Sequence, residues 1–99
     1  MAINMILRRT GKPAGERLRK DAAAVWKKHG AVSLRIGSYH SGAYAGQTFV
    51  VITFPGWTTY GRAMQGISED ADFKRIIGEI DKTTPLEERH LTVTEEYMT

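Results

Sequence analysis

An α+β fold of order β-α-β-β-α-β is predicted for this 99-residue chain by three features. Two stretches are almost continuously apolar, two alternate between apolar and polar residues, and the segments between them carry apolar residues at spacings of three and four. Short apolar runs and alternation both read as strands, whereas the three-and-four spacing reads as amphipathic helix.

Ala2 to Leu7 is apolar apart from Asn4 and too short for a self-burying helix, which predicts strand 1. Thr10-Gly11-Lys12-Pro13 reads as a turn. From Ala14 to His29, Ala14, Leu18, Ala22, Val25 and Trp26 share one face while Arg17, Arg19, Lys20, Lys27 and Lys28 occupy the others. This predicts the first helix, with Pro13 beside its start, Lys27 and Lys28 at its negative end and Gly30 as the left-handed stop.

Ala31 to His40 sets Val32, Leu34 and Ile36 against Ser33, Arg35, Gly37 and Tyr39, which predicts strand 2, followed by a glycine-rich hairpin loop, Ser41 to Gly46. Gln47 to Phe54 is apolar on both faces, Phe49 and Val51 on one and Val50, Ile52 and Phe54 on the other. Strand 3 therefore needs cover on both sides. Pro55-Gly56 leads into a helix with Trp57, Tyr60, Met64 and Ile67 on one face. After a break at Ser68-Glu69-Asp70, where a serine followed by acids signals a new helix start, a second segment aligns Phe73, Ile76, Ile77 and Ile80. Gly61 and Gly66 permit close packing or mark a mobile lid. Asp81 to Glu88 is expected to be a loop. Arg89 to Tyr97, with Leu91, Val93 and Tyr97 opposite His90, Thr92 and Thr94, is strand 4.

This order is the split arrangement of the ferredoxin-like fold, a four-stranded antiparallel sheet with helices on one face. Helices on one face leave the other bare. The two-sided strand 3 then points to a second copy of the sheet as cover, a two-fold homodimer.

Length and composition agree with one domain spanning residues 1–99, of which 41% are hydrophobic and 25% charged. The lack of cysteine excludes disulfides, thiolate metal sites and a thiol nucleophile. MAINMILRR is too short for a membrane span and carries its charge after the apolar run, so a cytoplasmic protein without a membrane partner is expected. Nine Lys/Arg face two acids in residues 1–35, and nine acids face four Lys/Arg in residues 68–99. That polarity suits an anionic ligand, opposite ends meeting in a dimer, or plain solvated helix faces.

His40 and Tyr39 end strand 2 beside the glycine-rich loop, where a strand would hold an imidazole and the loop admit a ligand. His90 shares a face with Thr92 and Thr94 and is a second candidate base. The competing reading makes both exposed strand-end histidines. Trp26, Phe54, Trp57 and Tyr60 either wall a pocket for an aromatic ligand or are ordinary core. His29, beside Gly30, favours the helix end electrostatically. Three histidines on separate elements make no metal motif, so no metal cofactor is expected.

The element order, the Phe54-Pro-Gly-Trp57 passage and the DADFKRII segment, residues 70–77, resemble the dimeric α/β-barrel superfamily. It includes antibiotic-biosynthesis-monooxygenase-like, NIPSNAP-like, stress-responsive barrel and polyketide-cyclase proteins. The resemblance implies two sheets facing across a homodimer and a ligand pocket between helices and sheet in each subunit. Its haem-degrading members carry an asparagine on strand 1, matched by Asn4, but also a helical tryptophan and a proximal histidine, where this chain has Ala63 and Ile77. Haem is therefore not an expected cofactor. Cofactor-independent oxygenation of an aromatic, cyclisation, or non-catalytic binding by a homodimeric module all stay open, with Asn4, Tyr39, His40 and His90 as catalytic candidates. RNA binding, which uses the same strand and helix order, is disfavoured: strand 1 has no aromatic to stack a base, and strand 3 offers only Ala45, Gly46, Gln47 and Phe49.

Overall fold

In a computed structural model, which describes residues 1–98, seven elements follow one another. They are β1 (Ala2–Arg9), α1 (Glu16–Lys28), β2 (Ser33–Ser38), β3 (Thr48–Phe54), α2 (Trp57–Glu69), α3 (Ala71–Thr83) and β4 (Leu86–Thr94). The strands form one antiparallel sheet in the order β2-β3-β1-β4. The fold is ferredoxin-like, as predicted, with the second helix of the order divided into α2 and α3.

Strand pairing sorts the side chains onto two faces. Ile3, Met5, Leu7 and Arg9 pair with Phe54, Ile52, Val50 and Thr48 and look toward the helices, whereas Asn4, Ile6 and Arg8 pair with Thr53, Val51 and Phe49 and look away. The core lies between sheet and helices, where Ile3, Met5, Ile52 and Phe54 are buried against Val25, Trp26, Ala63, Ile67, Ile76 and Ile80.

Helix α1 starts at Glu16, two residues later than expected, because Gly15 is still extended and acts as the N-cap. Gly30 is left-handed with φ of 106° and ends it as expected. A methyl group at Gly30 would meet Thr59 Cγ2 at 2.7 Å, so the turn also packs closely on α2. Between α2 and α3 the cap is Asp70 and not Ser68. Asp70 Oδ1 accepts the Phe73 N–H at 3.0 Å, while Ser68 remains inside α2 and its hydroxyl donates to the Gln65 carbonyl at 2.7 Å. The Asp70 carboxylate also accepts from His29 Nε2 at 2.7 Å and Lys28 Nζ at 3.3 Å. Above all the His29 hydrogen bond, then that of Phe73, holds its carboxyl far below the ordinary carboxylate range. His29 thus ties the end of α1 to the α2–α3 junction, and a methyl at Gly66 would strike its ring at 2.4 Å. Gly66 permits close packing.

Strand limits differ from expectation where neighbours decide them. β1 runs on to Arg9 and β2 is confined to Ser33–Ser38. The expected loop from Asp81 to Glu88 is largely taken up by the end of α3 and the start of β4, the helix stopping at Thr84 ahead of Pro85. β4 ends at Thr94 because its partner β1 begins at Ala2, with which Thr94 pairs. Glu95 to Met98 are exposed. Among the described residues no helix is long and apolar enough to cross a membrane.

Candidate functional site

A cleft of about 290 Å³ opens between the sheet and the helices α1 and α3. β2 contributes Leu34, Ile36 and Ser38, β3 contributes Thr48, Val50 and Ile52, and β1 contributes Leu7 and Arg9. The helices add Arg19, Ala22, Trp26, Ile77 and Ile80, with Ala14 and Thr84 among the other wall residues. Small side chains border the space, Ala22 on α1 and Ala14 in the segment that leads into it. Trp26 makes a rigid wall, its ring lying edge-on to Phe54 at 6.0 Å and to Phe73 at 5.5 Å.

The expected aromatic pocket is only partly this cleft. Trp26 lines it. Phe54 is fully buried behind Trp26, Tyr60 packs on Phe54 at 5.5 Å, and Trp57 is half exposed at the start of α2, 5.9 Å from Tyr60. Phe54, Tyr60 and Trp57 stand outside, since the cleft lies on the α1–α3 side and α2 takes no part in it. Ile77 lines the cleft, while Ala63 is fully buried in the core.

The catalytic candidates are dispersed. Asn4 is buried on the opposite face of the sheet, where its Nδ2 donates to Thr94 Oγ1 at 3.0 Å and its Oδ1 accepts from Thr53 Oγ1 at 2.9 Å. His90 shares that face, exposed and 3.6 Å from Glu88. Tyr39 is packed against Tyr44 and Phe49 at 5.7 and 5.2 Å. His40 is exposed in the β2–β3 hairpin, two residues beyond the cleft-lining Ser38. The fold does not join these four into one constellation.

The residues that do bring polarity to the cleft went unremarked in the sequence. Arg9 is 6% exposed and donates from Nη1 to Asp81 Oδ1 at 2.7 Å and to the Thr84 carbonyl at 2.9 Å. Arg19 is exposed, its Nε donating to the Ala14 carbonyl at 2.7 Å. Period-two alternation continued from Ile3, Met5 and Leu7 places Arg9 on the inner face, a signal lost when strand 1 is ended at Leu7. No histidine or carboxylate lines the cleft among the described residues, and none contain a cluster of three or more potential metal ligands. The site can therefore enclose an apolar body and donate hydrogen bonds, with no proton acceptor stronger than a hydroxyl or carbonyl on its walls.

The solved structures that this fold matches include SnoaB, a cofactor-independent oxygenase from Streptomyces nogalater. The match has a TM-score of 0.68 at 12% identity and covers 98% of this chain and 96% of SnoaB. At3g17210 from Arabidopsis thaliana matches with a TM-score of 0.61 at 11% identity, covering 98% and 97% of the two chains. An antibiotic biosynthesis monooxygenase matches at 0.58 and 9% identity, covering 97% and 99%. At such identities the likeness is one of fold, and the fold is that of the antibiotic-biosynthesis-monooxygenase-like proteins, in line with the resemblance drawn from the sequence. No curated protein matches the sequence. The family model for a domain of unknown function, DUF6854, matches residues 10–92, and the chain belongs to that family.

Proposed function

We propose that this protein binds a small, apolar, mono- or bicyclic aromatic molecule in the cleft between α1, α3 and the sheet. The observation that carries the reading is the apolar wall of that cleft, closed on one side by the fixed indole of Trp26. Its volume of about 290 Å³ stands at the small end of ligand pockets, which span about 300–1,000 Å³. The working unit is a homodimer of single-domain subunits, residues 1–99, in the cytoplasm, with the two open sheet faces against one another. In support, that face carries Ile6, Val51 and Phe49, and its buried Arg8 Nε lacks a hydrogen-bond partner although Glu88 is 3.5 Å away.

A second reading adds catalysis without a cofactor, either oxygenation or cyclisation. It is favoured by the likeness over nearly the whole chain to SnoaB, a cofactor-independent oxygenase. Since the cleft walls offer no strong base, the proton of a phenolic substrate would pass to His40 from the hairpin at the cleft end, or to the substrate's own water. Titration with planar aromatics should quench tryptophan emission saturably and raise the melting temperature. If neither happens across a broad panel, the binding reading is lost and a non-catalytic interaction module takes its place. Turnover of a phenol under air, abolished by His40→Ala with affinity retained, separates enzyme from carrier; His90→Ala follows if His40→Ala is silent.

A further inference from the structure

The cleft is apolar along most of its length, but one end is not. Across the sheet, Ser38 pairs with Thr48 and Thr48 with Arg9, so these three side chains form a polar row on the helix-facing side. The neighbouring row, Ile36, Val50 and Leu7, is wholly apolar. Resting on the reading of the cleft as a binding site, we infer that its ligand is an acid. An apolar ring body lies against Trp26, and one anionic oxygen, a carboxylate in the simplest case, is held at the polar row by Arg9.

A guanidinium carries five N–H donors in a planar fork. The Arg9 side chain is 7% exposed, and both of its hydrogen bonds leave from Nη1, to Asp81 and to the Thr84 carbonyl. Nε and Nη2 thus have no protein acceptor among the described residues. Neither atom is sealed away, since the buried side-chain nitrogen without a partner among the described residues is Arg8 Nε, so these Arg9 donors are open to water or to a ligand that accepts from them. Its one carboxylate partner, Asp81, is 51% exposed and does not line the cleft, where the other charged residue is also a cation, Arg19. Thr48, the cross-strand partner of Arg9, adds a hydroxyl to the same cleft wall. Asp81 offsets part of the Arg9 charge from outside the cleft, but the charged groups on the cleft wall itself are both cations, which favours an acidic ligand over a cationic one.

The test uses Trp57→Phe, which removes the half-exposed indole outside the cleft and leaves Trp26 as the only tryptophan. Three probes of one shape are titrated at pH 7: 2-naphthoate, 2-naphthylmethanol and 2-naphthylmethylamine. Naphthoate is expected to bind about ten- to a hundredfold more tightly than the alcohol. Arg9→Gln should erase that preference and leave the alcohol unchanged. If Arg9→Gln does not fold, Arg9→Lys decides, since it keeps the charge but not the two-pronged edge and should weaken naphthoate several-fold without touching the alcohol. Equal binding of acid and alcohol, tightest binding of the amine, or a preference insensitive to the Arg9 variants would overturn the inference and leave the cleft reading standing. Failure of all three probes to quench Trp26 saturably would overturn both.

Discussion

The two faces of the sheet are made by alternate residues of the same strands, yet they do different work. On the helix-facing side Ile3, Met5, Ile52 and Phe54 are buried in one core, which opens at its end into the cleft. The opposite side is mixed. Asn4 links Thr53 and Thr94, Ile6 and Val51 are neighbours, and Arg8 lies 3.8 Å from the centre of the Tyr44 ring while donating to Gln47 at 2.6 Å. The face covered by its own helices is apolar except for the row Ser38, Thr48 and Arg9 at the cleft. The proposed dimer would cover the other face, and its polar groups would then set register and orientation.

The largest effect expected from this contrast is in stability. Phe54→Ala should cost about 3–5 kcal/mol, because it empties a site enclosed on every side. Phe49→Ala, on the half-covered face, should cost about 1–2 kcal/mol at high dilution. Denaturant titration of both variants decides, and equal losses would mean that the open face is as closed as the core within one subunit.

Assembly comes next. Val51→Asp places a charge in the middle of the open face and should weaken the proposed dimer by about two orders of magnitude in sedimentation equilibrium, with the fold intact by circular dichroism. An unchanged dimer would place the interface elsewhere, and a wild-type monomer would end the facing-sheets reading.

The smallest effect lies on the helix side and is read from pH. Asp70 has a folded pKa lowered chiefly by His29. Its contribution is fully present above the unfolded value of about 3.9 and is lost as pH falls through that value toward the folded one. Stability of the native chain should therefore drop more steeply below about pH 5 than that of Asp70→Asn. Parallel acid limbs would show that Asp70 does not carry the link between α1 and the α2–α3 junction.

Much of the fold was legible because local patterns and tertiary packing agree. Alternation in β2 and the two-sided apolarity of β3 were correctly sorted onto faces, since period two needs no knowledge of neighbours. The limits of β4 were displaced by three residues at each end, as its first and last residues are set by where β1 starts and stops. The break at Ser68-Glu69-Asp70 holds two good caps, a serine and an aspartate, and only the chain path shows that Asp70 is the one that reaches a free N–H. Residue type alone leaves Trp26, Phe54, Trp57 and Tyr60 either a pocket wall or ordinary core. Trp57, Tyr60 and Phe54 sit on the α2 side, outside the cleft that Trp26 lines.

By itself the sequence determined the order of elements and the two faces of each strand. These follow from periodicity, a property of neighbouring residues along one chain. Which polar groups meet the cleft was decided only in three dimensions. Arg9 becomes a buried donor at the end of an apolar channel because cross-strand pairing sets it beside Thr48 and Ser38, while the end of α3 brings Thr84 and Asp81 to one edge of its guanidinium. Residues 38, 48, 81 and 84 lie far from position 9 along the chain, so no local pattern could reveal which of its donors remain free.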